Sequence, residues 1–240
     1  MRFDVNITLN NKEIPKDKNR MFLSFIKHNL SKNNKGCFEK LYGKGITDRK
    51  SFALASYLPG AIFNENTITI PNSKIKLTIS VADMKLGVEI FNSMMGSVNN
   101  TYKYKDCELT TTSLKLLREK RIEDTFEIFK TLSPIVVRDH EKETNKDWFY
   151  DLSEPKGQEV FLRNLKYQLE EEMPESKYFL DELGVEVLKN KKTVAKNYGI
   201  SVQCNLCVIK INGKSEVLEH IYKSGVGSFK SQGFGLLDII

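Results

Sequence analysis

Three histidines, His28, His140 and His220, are the side chains of this sequence whose ordinary pKa lets them give or take a proton near neutral pH. His28 lies in a stretch whose apolar residues, Phe22, Phe25, Ile26 and Leu30, recur with helical spacing. At 100° per residue, Asp17, Arg20, Ser24 and His28 fall together on another side of that helix. A histidine so placed has no packing duty. With Arg20 on its own face and Lys27 next to it, it is a candidate for proton transfer beside positive charge. His220 stands between the apolar positions Val217, Leu218 and Ile221, so the spacing turns it outward. His140 sits in a charged run, 139–145, flanked by Arg138, Lys142 and Lys146, which reads as a solvated loop within reach of an anionic partner.

A second group of residues is set for anion binding. The C-terminus carries Gly225, Gly227, Gly233 and Gly235, with Ser228, Lys230 and Ser231 between them and Lys223 just before. The spacing matches neither common phosphate loop. A dinucleotide fingerprint requires glycine where Lys230 stands, and a Walker loop requires lysine where Phe234 stands. Closely spaced glycines nevertheless let backbone N–H groups converge on an anion. A helix cap at Gly225 alone leaves the other three glycines unexplained. The segment is therefore expected to hold a polyanion, with Lys223 and Lys230 supplying charge.

The cysteines offer less. Cys204 and Cys207 have a zinc-like spacing, but no second ligand pair exists, and on a strand residues three apart point to opposite faces. No metal or cofactor is expected. Four cysteines without an export signal suggest reduced thiols in a cytoplasm, and no apolar run is long enough for a membrane helix. Lys and Arg exceed Asp and Glu by 37 to 31, a mild excess that permits a nucleic-acid partner without requiring one.

The elements that must position these residues can be read from periodicity. Residues 2–9 alternate as a strand. A helix runs from Lys18 to about Lys32, entered through Pro15 and Asp17, followed by a turn-rich stretch from Gly36 to Gly45. Strands are expected over 52–58, 61–70 and 74–81. A helix capped by Asp83 should bury Met84, Val88, Phe91 and Met95, and a strand-rich segment runs from 97 to 117. The second half repeats the order: strand 126–137, helix 156–172 with Val160, Leu165 and Leu169 inward, strands 183–188 and 198–211, a helix 215–223 capped by Ser215, and a last strand 233–240. Both halves follow β-α-β-β-α-β, the ferredoxin-like order. The expected class is α+β with tandem ferredoxin-like domains, 1–118 and 119–240.

The Gly-x-Gly, basic spacer, Gly-Phe-Gly-Leu sequence running into an apolar last strand resembles the signature loop of the CRISPR repeat-processing endoribonucleases, a branch of the repeat-associated RNA-binding (RAMP) superfamily. Met1-Arg2-Phe3, Ile14-Pro15 and Leu132-Ser133-Pro134-Ile135-Val136 resemble the family at matching places. The resemblance implies binding of CRISPR repeat RNA in the precursor transcript by the loop (Lys223, Gly225, Gly227, Ser228, Lys230, Ser231, Gly233, Gly235) and by Lys27. It implies cleavage without metal by the 2′-hydroxyl, leaving 2′,3′-cyclic phosphate and 5′-hydroxyl ends. The family's active site lies at the first helix, which makes His28, Tyr42 and Arg20 the candidate catalytic residues. Several relatives carry histidine where this chain has Tyr42, and a phenol with a pKa near 10 is a poor base. Other effector subunits and a second copy of the chain are the further partners it allows. The rival readings are a non-catalytic RNA-binding RAMP subunit and a tandem ferredoxin-like ligand-binding protein with no basic cleft.

Overall fold

Alternation in the first strand fixes the first layer. In the computed structural model, which describes residues 1–46, 48–141 and 143–240, β1 (Arg2–Leu9) turns Phe3, Val5, Ile7 and Leu9 into a core. Helix α1 (Lys18–Asn33) covers them with Met21, Phe22, Phe25, Ile26 and Leu30. Between β1 and α1 lies the short β2 (Glu13–Pro15), so Pro15 belongs to a strand and not to the helix entry. The stretch expected to be turns forms a second helix, α2 (Lys35–Tyr42). Asn34 caps it by accepting from the Cys37 N–H at 3.0 Å, and Cys37 and Leu41, four apart, bury one face. Gly36 sits in its first turn and Gly43 just past its end, where glycine costs little.

Strands β3 (Phe52–Tyr57) and β6 (Lys74–Val81) follow the expected spans. Residues 61–70 do not make one strand. They split into β4 (Ile62–Phe63) and β5 (Thr67–Thr69), because Asn64 turns the chain by bonding the Thr67 and Thr69 hydroxyls. With β2 these form a separate three-stranded sheet. Helix α3 (Met84–Met95) is capped by Asp83 as expected, yet it buries Leu86, Ile90 and Met94 and leaves Met84, Val88 and Met95 exposed. Both stripes have helical period. Gly87 decides between them, since it lets the helix approach Met1 so closely that a Cβ there would lie 2.8 Å from the Met1 Cβ. The hairpin β7 (Thr101–Tyr104) and β8 (Cys107–Leu116) completes an antiparallel sheet of order β3-β6-β1-β8-β7.

The second half builds the same topology. Strand β9 (Phe126–Thr131) ends six residues earlier than expected. The run expected as a charged loop is mostly a hairpin, β10 (Val137–Glu141) with β11 (Lys146–Tyr150), in which His140 pairs across to Asp147; Lys142 lies outside the described residues. Then come α4 (Pro155–Glu172), the long hairpin β12 (Gly184–Asn197) and β13 (Ile200–Asn212), α5 (Ser215–Ser224) and β14 (Leu237–Ile239). Ser215 is not the cap of α5, since Lys214 occupies that position. The sheet order β12-β13-β9-β14 gives a second ferredoxin-like arrangement, with Val160, Leu165 and Leu169 under it. Cys204 and Cys207 enter different apolar clusters, as strand alternation requires.

Polar side chains stitch the halves together. Arg2 is buried, places its guanidinium 4.1 Å from the centre of the Tyr222 ring and donates to the Leu237 carbonyl. Ser80 donates to the Lys223 carbonyl at 2.8 Å, and Ser133 to that of Leu54 at 3.0 Å. Asp17 does not cap α1 by its side chain; it accepts the N–H groups of Tyr198 and Gly199 at the tip of the β12–β13 hairpin.

Candidate functional site

The glycine-rich segment packs into this junction. Gly235 has φ +66°, and a Cβ there would lie 1.8 Å from the Val226 carbonyl oxygen, so the two passes of the loop touch backbone to backbone. Gly233, at φ +96°, lies against the buried Asn19 of α1, and Gly225 against Ala53 of β3. These glycines therefore meet protein where an anion was expected. Lys230, expected to supply charge to an anion, is committed to an acid of the protein. Its side chain is 3% exposed and its Nζ lies 2.5 Å from Glu172 Oε1 at the end of α4. The other oxygen of Glu172 meets Nε2 of His220 at 3.0 Å, so His220 faces inward from α5 rather than out to solvent. Burial pushes the Lys230 amine down to about 8 despite the opposing pull of Glu172. Burial alone would raise the Glu172 carboxyl, but the hydrogen bond from His220 and the charge of Lys230 outweigh it and hold the carboxyl below its ordinary value. Lys223 pairs with Glu219 one turn earlier on α5, at 3.1 Å, and does not line the cavity under the loop.

What remains open is the first part of the loop. The segment from Gly227 to Gln232, Lys230 included, lines a polar cavity of about 300 Å³ together with Asp48, Arg49, Lys50 and Arg138. Sequence reasoning singled out Arg138 but not Arg49 or Lys50. Their only signal was a charged run just before β3, with no motif around it. Arg138 projects from β10 with its guanidinium 5.3 Å from the centre of the Phe229 ring.

Lys50 joins this cavity to the face of α1. Its Nζ lies 5.6 Å from the centre of the Tyr42 ring, and that of Lys27 lies 4.4 Å away. Burial, with the nearby Lys50 charge, lowers the Lys27 amine. The Tyr42 hydroxyl is buried with no hydrogen-bond partner among the described residues, and burial raises its pKa strongly. It is neither a base nor a surface donor in this arrangement. His28 is exposed on the outer face of α1, with its ring 4.8 Å from that of Tyr102, whose hydroxyl meets Ser24 Oγ at 2.6 Å. Arg20, also exposed, reaches the Tyr198 ring at 5.3 Å. The structure thus lines Arg20, Ser24 and His28 along one open face, as the helical spacing required, with Lys27 and Lys50 beside it. All four cysteines are buried free thiols, and burial pushes those of Cys204 and Cys207 up to about 11 and 12. Among the described residues no three His, Cys, Asp or Glu side chains are grouped to hold a metal ion. No helix among them is long and apolar enough to cross a membrane.

The comparisons with known proteins converge. The family model for the C-terminal region of CRISPR associated protein Cas6 matches residues 117–239. The chain is 29% identical over 188 residues to a CRISPR-associated endoribonuclease-like protein Cas6 of Pyrococcus furiosus, covering 75% of this chain and 73% of that one. It is 27% identical over 188 residues to the corresponding protein Cas6nc of Pyrococcus horikoshii, covering 75% and 74%. In fold it is similar to the solved Cas6-related protein of Pyrococcus furiosus, with a TM-score of 0.86, 23% identity and coverage of 100% and 98% of the two chains. A RAMP protein described as binding different RNA substrates follows at 0.85, with 22% identity and coverage of 100% and 99%. This chain belongs to the Cas6 family of CRISPR-associated proteins.

Proposed function

We propose that the chain binds CRISPR repeat RNA in the precursor transcript and cleaves it without metal, through two domains divided near residues 118–119. In the reaction the 2′-hydroxyl upstream of the scissile bond loses its proton, its oxygen bonds to the adjacent phosphorus, and the bond from phosphorus to the 5′-oxygen breaks. The leaving oxygen takes up a proton. The products carry a 2′,3′-cyclic phosphate and a 5′-hydroxyl. His28 supplies the proton transfer, and Arg20, Lys27 and Lys50 supply positive charge for the transition state. The observation that carries this reading is the exposed His28 on a face shared with Arg20, on a helix whose Lys27 shares the Tyr42 ring with Lys50 of the loop cavity. Membership of the Cas6 family and the names of its relatives support RNA as the substrate.

The second reading is an RAMP subunit that holds repeat RNA without cutting it. It is favoured by Tyr42, which the family resemblance matches to a histidine of several relatives and whose hydroxyl is buried without a partner among the described residues. Incubation with repeat RNA in EDTA separates the two. Cutting at one phosphate, abolished by a single 2′-deoxy nucleotide upstream of the cut with binding nearly intact, is the expected result. Tight binding without any cut establishes the second reading. Cleavage that requires added magnesium refutes the metal-free step.

A further inference from the structure

The loop cavity does not end at Arg138. It opens into a groove of about 560 Å³ between α4 and the β10–β11 hairpin, and the two share Arg49, Arg138, Gly227 and Ser228. Arg163 and Tyr167 of α4 line the far part of this groove. They stand four residues apart, on one face of the helix. Tyr167 is 58% exposed, so its ring is open to the groove.

The arginines here are held in position by acids. Asp139 fixes Arg163 through Nη2 at 2.7 Å. Asp147 fixes Arg138 through Nε and Nη2, both at 2.7 Å. In each guanidinium Nη1 has no protein partner among the described residues, so each keeps donors for an external acceptor. Each carboxylate is neutralised by the arginine that it orients, and Lys50 at the loop end has no acidic partner among the described residues. Preorganised guanidinium groups beside an exposed ring form the combination that holds single-stranded nucleic acid, with phosphate on the charge and a base on the ring.

We propose that the groove between α4 and β10 binds an unpaired stretch of the repeat RNA outside the scissile phosphate, with Arg138 and Arg163 on its phosphates and Tyr167 under a base. This rests on the reading of the chain as an RNA-binding protein and extends the bound path beyond the glycine-rich loop.

The test uses the whole chain with Arg163 and Tyr167 both changed to Ala, and the single variants Arg163→Lys and Tyr167→Trp. Affinity is measured against salt for the full repeat RNA and for RNAs shortened stepwise from each end. The double variant should bind the full repeat roughly five- to 150-fold more weakly, the range given by one lost base stack. Its log–log salt slope should fall by about 0.7, for one phosphate released. The deficit should vanish once shortening from one end has removed the nucleotides that occupy the groove. Tyr167→Trp should retain wild-type affinity and Arg163→Lys the wild-type slope. A folded double variant with wild-type affinity and slope at every RNA length overturns this inference alone. A wild-type chain that binds no repeat RNA overturns the reading beneath it as well. A deficit equal for all lengths, with no rescue by Tyr167→Trp, assigns the two residues to folding and also overturns the groove.

Discussion

The outer face of α1 and the glycine-rich loop were both expected to meet RNA, and the structure treats them oppositely. On α1, Arg20 and His28 lie open and owe nothing to the core. In the loop, Lys230 is buried on Glu172, and Gly225, Gly233 and Gly235 are pressed against Ala53, Asn19 and Val226. The first region can lose a functional side chain without consequence for folding. The second must lose packing before it loses any contact with a ligand. Composition does not distinguish a glycine that admits an anion from one that admits a neighbouring backbone, because both need a missing Cβ and a positive φ. Only the partner across the gap decides.

The comparison breaks first at His28. His28→Ala should slow single-turnover cleavage by roughly 10²–10⁴, the usual contribution of a general acid or base. It should leave the melting temperature and RNA affinity near wild type. Single-turnover rates with RNA-saturated enzyme measure this. A wild-type rate would make α1's open face a surface and nothing more, and would shift weight to the non-cutting reading.

The next effect belongs to the loop and is one of stability. Glu172→Gln leaves the Lys230 ammonium buried opposite a neutral amide, and removal of one partner from a buried pair costs about 3–5 kcal/mol. Urea unfolding should show that loss, and Glu172→Gln combined with Lys230→Met should recover most of it. The salt slope of RNA binding should stay unchanged in the double variant, since the Lys230 ammonium is already paired with Glu172. A flattened slope would return Lys230 to the RNA. The acid limb carries the same signature. Glu172 has a folded-state pKa below its ordinary 4.5, so its contribution is complete above about pH 4.5 and is lost as the pH falls through the folded value. Wild-type stability should therefore decline below pH 4.5 more steeply than that of the double variant.

The same contrast explains what the sequence disclosed. Hydrophobic alternation and helical spacing located β1 and α1 closely and placed His28 outside, because burial of apolar side chains is what those periods record. The β-α-β-β-α-β order likewise disclosed the ferredoxin-like topology of each half. On α3 two apolar stripes competed, and the close approach of Gly87 to Met1, a tertiary contact without local signature, selected Leu86, Ile90 and Met94. Helix α2 was hidden by two glycines at its ends, where they do little harm. Lys230 and His220 were misplaced for a related reason. Both are polar, and polar residues are expected outside unless a buried partner is known. Their partner, Glu172, comes from another helix some fifty residues away in sequence. Arg49 and Lys50 carried only a short charged run without a motif, and the fold brings them to the loop.

The smallest effect is expected at Tyr42, and it has the sign opposite to that of a catalytic donor. The ring packs against Phe38 and lies between Lys27 and Lys50, and those contacts survive in phenylalanine. The hydroxyl is buried without a partner among the described residues, and an unpaired buried hydroxyl costs about 1–3 kcal/mol of desolvation. Tyr42→Phe should therefore leave cleavage within a factor of about two of wild type and raise stability by about 1 kcal/mol, since the lost oxygen also leaves a small void. Urea unfolding and single-turnover cleavage of the same preparation measure both. A loss of tenfold or more in rate with unchanged stability would show that the phenol turns outward to meet RNA. Tyr42 would then share the proton transfer with His28, and the open face of α1 would extend onto α2.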